Sequence, residues 1–216
     1  MPHARPYVVG FAGGTNSGKS TFVRNLVESI GLGQVAVLRH DVYYRHRPEL
    51  SFDEREQVNY DHPDSLETDL FLKHLKQLRA RQAVEQPIYD FAQHLRSSEV
   101  ERVSPAPLVF VEGILVLHES RLRALMDLKV FLDVDADVRL LRRINRDIAE
   151  RGRTLQSVTR QYQETVRPMH ERFVQPSCRH ADLVVLHGGE NQPAAQVLLD
   201  HLNSLVSSNT TGASWK

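Results

Sequence analysis

The octapeptide Gly13-Gly14-Thr15-Asn16-Ser17-Gly18-Lys19-Ser20 constrains this chain more than any other feature. It follows an apolar, β-branched run at 7–11 and precedes a helical pattern at 21–30. The G-x-x-x-x-G-K-[ST] spacing between a strand and a helix is that of a phosphate-binding loop. Glycines let the backbone curl until successive N–H groups point inward at an anion, and the helix N-terminus adds its dipole. Lys19 can then reach the terminal phosphates, and the Ser20 hydroxyl can ligate a divalent cation. Gly13 to Thr21 are therefore the candidate nucleotide-binding segment.

Four further apolar runs, at 35–38, 108–111, 128–132 and 183–186, are hydrophobic without alternation, as strands covered on both faces are. Helical patterns separate them. One spans 66–82, with Asp64 and Glu67 as a capping pair. A third carries Val138, Leu141, Ile144 and Ile148 on its apolar stripe. A fourth carries Leu155, Val158, Tyr162 and Val166, and Pro168 ends or kinks it at Arg167. A last helix follows Pro193. Strands alternating with helices predict an α/β fold with a five-stranded parallel sheet flanked by helices, the P-loop nucleoside-triphosphate hydrolase fold. Residues 43–63 are polar and turn-rich, a loop with short helical pieces, and 83–104 reads as an inserted β-hairpin projecting from the sheet. The expected organisation is one domain over 1–206, with an arginine-bearing lid at 139–160 and a flexible tail at 207–216.

Composition removes several classes. Lys+Arg and Asp+Glu each number 27, so no basic excess points to nucleic acid. No apolar run approaches the roughly 20 residues that span a bilayer, and no signal-peptide core follows the N-terminus, so no membrane partner is expected. Cys178 is the lone cysteine, which excludes an internal disulfide and suits a reducing cytoplasm. No Asn-Lys pair is present for a guanine-reading Asn-Lys-x-Asp element, and the Ser-Gly-Gly signature of ABC-type ATPases is missing. A small-molecule kinase fits the length.

Such an enzyme needs an acid for the metal and a proton acceptor for the attacking hydroxyl. Glu112 ends the run at 108–111 and is either the metal-side acid or a carboxylate facing solvent. Asp41, after the second strand, is either the proton acceptor or a surface cap. Arg139, Arg142, Arg143, Arg146, Arg151 and Arg153 form either a solvated face or a mobile lid over a triphosphate.

More specific blocks follow in order: Asp41-Val42-Tyr43-Tyr44, Asn59-Tyr60-Asp61-His62-Pro63-Asp64, Pro87-Ile88-Tyr89-Asp90-Phe91, His94 and Val111-Glu112-Gly113-Ile114-Leu115. Then come Arg142-Arg143-Ile144 with Arg146-Asp147, Glu150-Arg151-Gly152-Arg153, and Gln161-Tyr162-Gln163-Glu164-Thr165-Val166-Arg167-Pro168-Met169. With these the chain resembles the uridine kinases (uridine/cytidine kinases) of bacterial type, within the phosphoribulokinase-like group, from about residue 7 to about 191. The resemblance implies transfer of the γ-phosphate of ATP or GTP to the 5′-hydroxyl of uridine or cytidine, with Mg²⁺, in pyrimidine salvage.

The resemblance also implies roles. Asp41 becomes the catalytic aspartate beside Lys19, and Asp61 the holder of the ribose hydroxyls. Tyr89 and His94 read the pyrimidine, with Tyr44 packing nearby. Arg143, Arg153 and Gln161 are substrate contacts, Arg146 and Arg151 meet phosphates, and Ser20 and Glu112 hold Mg²⁺. A homo-oligomer, a tetramer, is implied as well. Two departures stand out: Tyr43 replaces a frequent phenylalanine, and Leu186-His187-Gly188-Gly189-Glu190-Asn191 replaces a Pro-Arg-Gly stretch beside the donor base. The second leaves ATP against GTP open, with Glu190 still a candidate contact.

Overall fold

A computed structural model describes residues 5–211. Strand β1 (Tyr7–Gly13) lies at the centre of a five-stranded, wholly parallel sheet. Its companions are β2 (Val35–Arg39), β5 (Leu108–Glu112), β6 (Leu128–Asp133) and β7 (Leu183–Leu186), in the order β2-β5-β1-β6-β7. Between β2 and β5 the chain forms β3 (Val84–Asp90) and β4 (Leu95–Val103), which pair antiparallel in a separate two-stranded sheet. The helices are α1 (Lys19–Ile30), α2 (Phe52–Glu56), α3 (Thr68–Arg79), α4 (Ser120–Arg123), α5 (Ala136–Arg151), α6 (Leu155–Gln161), α7 (Arg167–Met169) and α8 (Gln192–Thr211).

Successive side chains of a strand face opposite ways, so a sheet covered on both sides divides its residues between two cores. Val8, Val109, Val111 and Phe131 pack with Leu38, Phe71 and Leu75 on one face. Val9, Phe11, Phe110, Val130 and Leu132 pack with Phe22, Leu26, Leu198 and Leu202 on the other. The continuous apolar runs have this origin. β7 is the exception, because it is an edge strand: only Val185 is buried, and Leu183, Val184 and Leu186 are exposed.

Several local expectations give way to tertiary packing. α3 begins at Thr68, Glu67 caps it without a side-chain bond, and Leu66 instead bridges antiparallel to Tyr44. The stripe of α5 is turned over. Arg139, Arg143 and Asp147 are buried, whereas Leu141 is 63% exposed. Pro168 does not end its helix; the chain runs on through π-helical turns at Tyr162–Val166 and His170–Val174. Such wide turns accommodate a residue without an N–H in an otherwise helical path. α8 reaches Thr211, so the expected start of the tail at Ser207 falls inside helix, and 212–216 lie outside the described residues. No helix among the described residues is long and apolar enough to cross a membrane.

The segment between β2 and α3 is tied down at both ends. Glu67 donates its N–H to the Tyr43 carbonyl at 2.8 Å, and Arg45 donates to the Ser65 carbonyl at 2.8 Å. The tyrosine at 43 has a specific partner, since its hydroxyl lies 2.8 Å from His74 Nδ1 in the core. Tyr43→Phe should therefore strand a buried imidazole nitrogen and cost about 1–2 kcal/mol, read as a lower urea midpoint with an unchanged slope.

Candidate active site

The loop after β1 owes its path to close packing. Gly18 sits at φ 85°, a left-handed conformation that glycine adopts readily, immediately before α1. A Cβ at Gly14 would fall 2.4 Å from Arg139 Nη1, so a larger residue there would displace that guanidinium. Lys19 Nζ donates to the Gly13 and Gly14 carbonyls at 3.1 and 2.9 Å. The ammonium is desolvated, which lowers its pKa to about 8 despite the opposing pull of Glu112 and Asp41.

Two carboxylates from neighbouring strand ends face this lysine. Asp41 stands in the 3₁₀ turn His40–Tyr43 after β2 and projects into the cleft, where solvent reaches it between enclosing walls. Those walls raise its pKa above the usual carboxylate value, and Lys19 opposes the rise. Glu112, the last residue of β5, is buried, and its Oε2 has no hydrogen-bond partner. Burial, then the Asp41 charge, push its pKa up. Ser20 lines the same cleft.

The far wall is aromatic. Tyr44 packs against Tyr60 and Tyr89 with centroids 5.1 and 5.2 Å apart, and Tyr60 stacks on His94 at 5.0 Å and 15°. His94 occupies φ 53° at the turn between β3 and β4, and the guanidinium of Arg55 holds that turn through the Gln93 carbonyl at 3.0 Å. Desolvation lowers the His94 pKa, so the ring is neutral and offers one donor and one acceptor. Asp61 enters beside this wall. Burial raises its pKa and Arg143 counters that rise.

The arginines close the ring. Arg143 and Arg153 both donate to Gln161 Oε1, the former at 2.8 Å, and Arg153 also reaches Ser157 Oγ at 2.8 Å. Asp147, with no exposed surface, holds three of them: Arg146 at 2.8 Å, with Arg143 and Arg151 at 3.5 Å. Its spacing of four residues from Arg143 and from Arg151 was the available signal. Arg151 in turn lies over the Phe91 ring at 5.3 Å.

One cleft of about 350 Å³ is lined by Thr15, Asn16, Gly18, Lys19, Ser20 and Thr21 together with Asp41, Tyr44, Asp61, Tyr89, His94 and Glu112. Arg143, Arg146, Arg151, Arg153 and Gln161 also line it. Gly13, Gly14 and Ser17 lie on the buried side of the loop. Glu190 is not brought in. It is an exposed carboxylate paired with Arg142 at 3.0 Å, outside the lining. Tyr60 and Phe91 line the cleft without having been singled out as site residues, although both stand inside the motif blocks.

Residues 8–194 match the family described as Phosphoribulokinase / Uridine kinase. A protein named uridine kinase from Ligilactobacillus salivarius is 46% identical over 202 residues, covering 94% of this chain and 95% of that one. Another uridine kinase, from Halalkalibacterium halodurans, is 44% identical over 202 residues, covering 94% and 96%. Phosphoribulokinase from Rhodobacter spheroides superposes with a TM-score of 0.60 at 14% identity, over 85% of this chain and 70% of that one, a likeness of fold.

The lysine gives a pH test. Its folded pKa of about 8 means that the ammonium fraction falls as pH rises through 8. A bound polyanion favours the charged form, so binding takes up protons in that range. Affinity for tripolyphosphate, measured by titration calorimetry, should fall above pH 8 by up to about tenfold per unit, and Lys19→Arg should flatten the profile. A flat wild-type profile would count against this role for Lys19.

Proposed function

The chain belongs to the phosphoribulokinase/uridine kinase family, and from that premise we propose that it is a uridine kinase, converting uridine or cytidine and ATP or GTP to the 5′-monophosphate and the nucleoside diphosphate. One observation carries the reading: the phosphate loop, Asp41 and an aromatic wall with its own carboxylate, Asp61, line one cleft together. A triphosphate tail and a nucleoside can meet there with little water between.

The reaction forms a bond from the 5′-oxygen to the γ-phosphorus and breaks the bond from that phosphorus to the β-bridging oxygen. Asp41 accepts the 5′-hydroxyl proton; its raised pKa brings the carboxylate nearer the basicity such a transfer needs. Lys19 leaves its loop carbonyls for the β- and γ-phosphates, and Arg146 and Arg151 offset charge on the transferring group. The Glu112 oxygen left without a hydrogen-bond partner and the Ser20 hydroxyl would hold a Mg²⁺ ion. When bound, that ion supplies charge neutralisation of the triphosphate.

Recognition of the nucleoside uses the opposite wall. Asp61 can accept from both vicinal ribose hydroxyls, so a deoxyriboside would leave acceptor capacity unpaired. The neutral His94 ring suits the polar edge of a pyrimidine, and the Tyr89 ring beside it suits the face of the base.

Purified protein assayed with uridine, cytidine, thymidine, adenosine, a phosphoribulose-type sugar and pantothenate should phosphorylate the first two. Transfer to the sugar or pantothenate but to neither pyrimidine would sink the reading. Asp41→Asn should lower turnover by about 10²–10⁴-fold while leaving triphosphate binding nearly intact; undiminished turnover would remove Asp41 from the chemistry.

A further inference from the structure

Directly beneath the phosphate loop lies a cation that the chemistry above does not use. Arg139 comes from the first turn of α5 and is 5% exposed. Its guanidinium fills the place where a residue at 14 would carry its side chain, touching the far side of the Gly14 backbone. Both of its hydrogen-bond partners are neutral: Nε donates to the Val134 carbonyl at 2.9 Å, and Nη2 lies 3.1 Å from His170 Nε2. Burial, then the charge of Arg139 itself, lower the His170 pKa to about 4, so the imidazole is an acceptor and not a second cation. Among the described residues no carboxylate forms an ion pair with Arg139. Asp133 and Asp135 act on it only at longer range.

A buried charge without a counter-ion is costly, and an anion bound nearby would offset that cost. The loop on its other face is built for an anion. The field of Arg139 is felt across that loop, since it helps to lower the Lys19 pKa. We propose that Arg139 is a positioning residue for the donor: held by Val134 and His170, it braces the loop at Gly14 and supplies a fixed positive charge, acting through the backbone, whose countercharge is the bound triphosphate. The inference rests on the reading that the loop binds the donor.

Arg139→Gln keeps a hydrogen-bond donor and removes the charge, whereas Arg139→Lys keeps the charge and loses the fork. Three readouts are needed: Kd for ATP without nucleoside, the separate KM values for ATP and uridine, and the melting temperature without ligand. Arg139→Gln should weaken ATP binding about tenfold and raise KM for ATP alike, with KM for uridine nearly unchanged. Its unliganded melting temperature should not fall, because an uncompensated buried charge has gone, while the rise that ATP gives should shrink. Arg139→Lys should recover most of the ATP affinity. A folded Arg139→Gln protein that binds ATP like wild type would overturn the proposal. So would equal losses of ATP and uridine binding with a lowered unliganded melting temperature, which is what bracing without charge would give. Should Arg139→Gln fail to fold, Arg139→Lys decides: an ATP Kd within a few-fold of wild type supports the proposal, and a tenfold loss overturns it. Wild-type protein that bound no ATP would overturn the kinase reading together with this inference, a result distinct from wild-type binding that Arg139→Gln leaves untouched.

Discussion

Like charges gathered around one small volume must be held there by something stronger than their repulsion. Lys19, Arg143, Arg146, Arg151 and Arg153 all border the cleft, and the anchor for three of these arginines is Asp147, with no exposed surface. Burying a lone carboxylate costs several kcal/mol, and three guanidinium groups offset that cost only if their geometry is fixed. α5 meets this condition by burying its polar side. Leu141 and Ile148 are left toward solvent because the site lies under the polar side of the helix. The gathered charge prepares the cleft for a polyanion before one arrives.

The same preparation extends to the segments that shape the acceptor wall. Arg39, the last residue of β2, donates its N–H to Gln86 Oε1 at 3.0 Å, which fastens β3 two residues before Asp41. Gln86 is itself held by Glu101 at 2.9 Å, and Arg96 of β4 pairs with Glu67 at 2.9 Å. Arg55 grips the turn between β3 and β4 from the other side. The β3–β4 turn with His94, the segment leading into α3 and the turn bearing Asp41 are therefore cross-braced, so a displacement of one is felt by the others.

Much of this was legible in the chain. The phosphate loop declares itself because its glycines and lysine answer to local backbone chemistry, and the buried strands because burial on both faces leaves no polar positions. The motif blocks located nearly all of the cleft. What escaped depends on contacts between distant segments. The apolar stripe of α5 misled because periodicity reports amphipathicity without saying which side the protein buries. Asp147 looked like one more member of a charged surface, and only packing shows it to be a hub. Glu190 was placed by resemblance, but an exposed carboxylate beside Arg142 found a partner on the surface. The proposed cap of α3 failed because Leu66 was recruited to a bridge with Tyr44, a long-range demand that local propensity does not register.

The strand order has one more effect. β5 is inserted between β2 and β1, so the turn bearing Asp41 and the loop bearing Lys19 leave the sheet two strand spacings apart, about 10 Å. Adjacent strands would bring the turn bearing Asp41 and the phosphate loop to about half that distance. The intervening strand is thus a built-in spacer, and its last residue, Glu112, puts a carboxylate midway across the gap it creates.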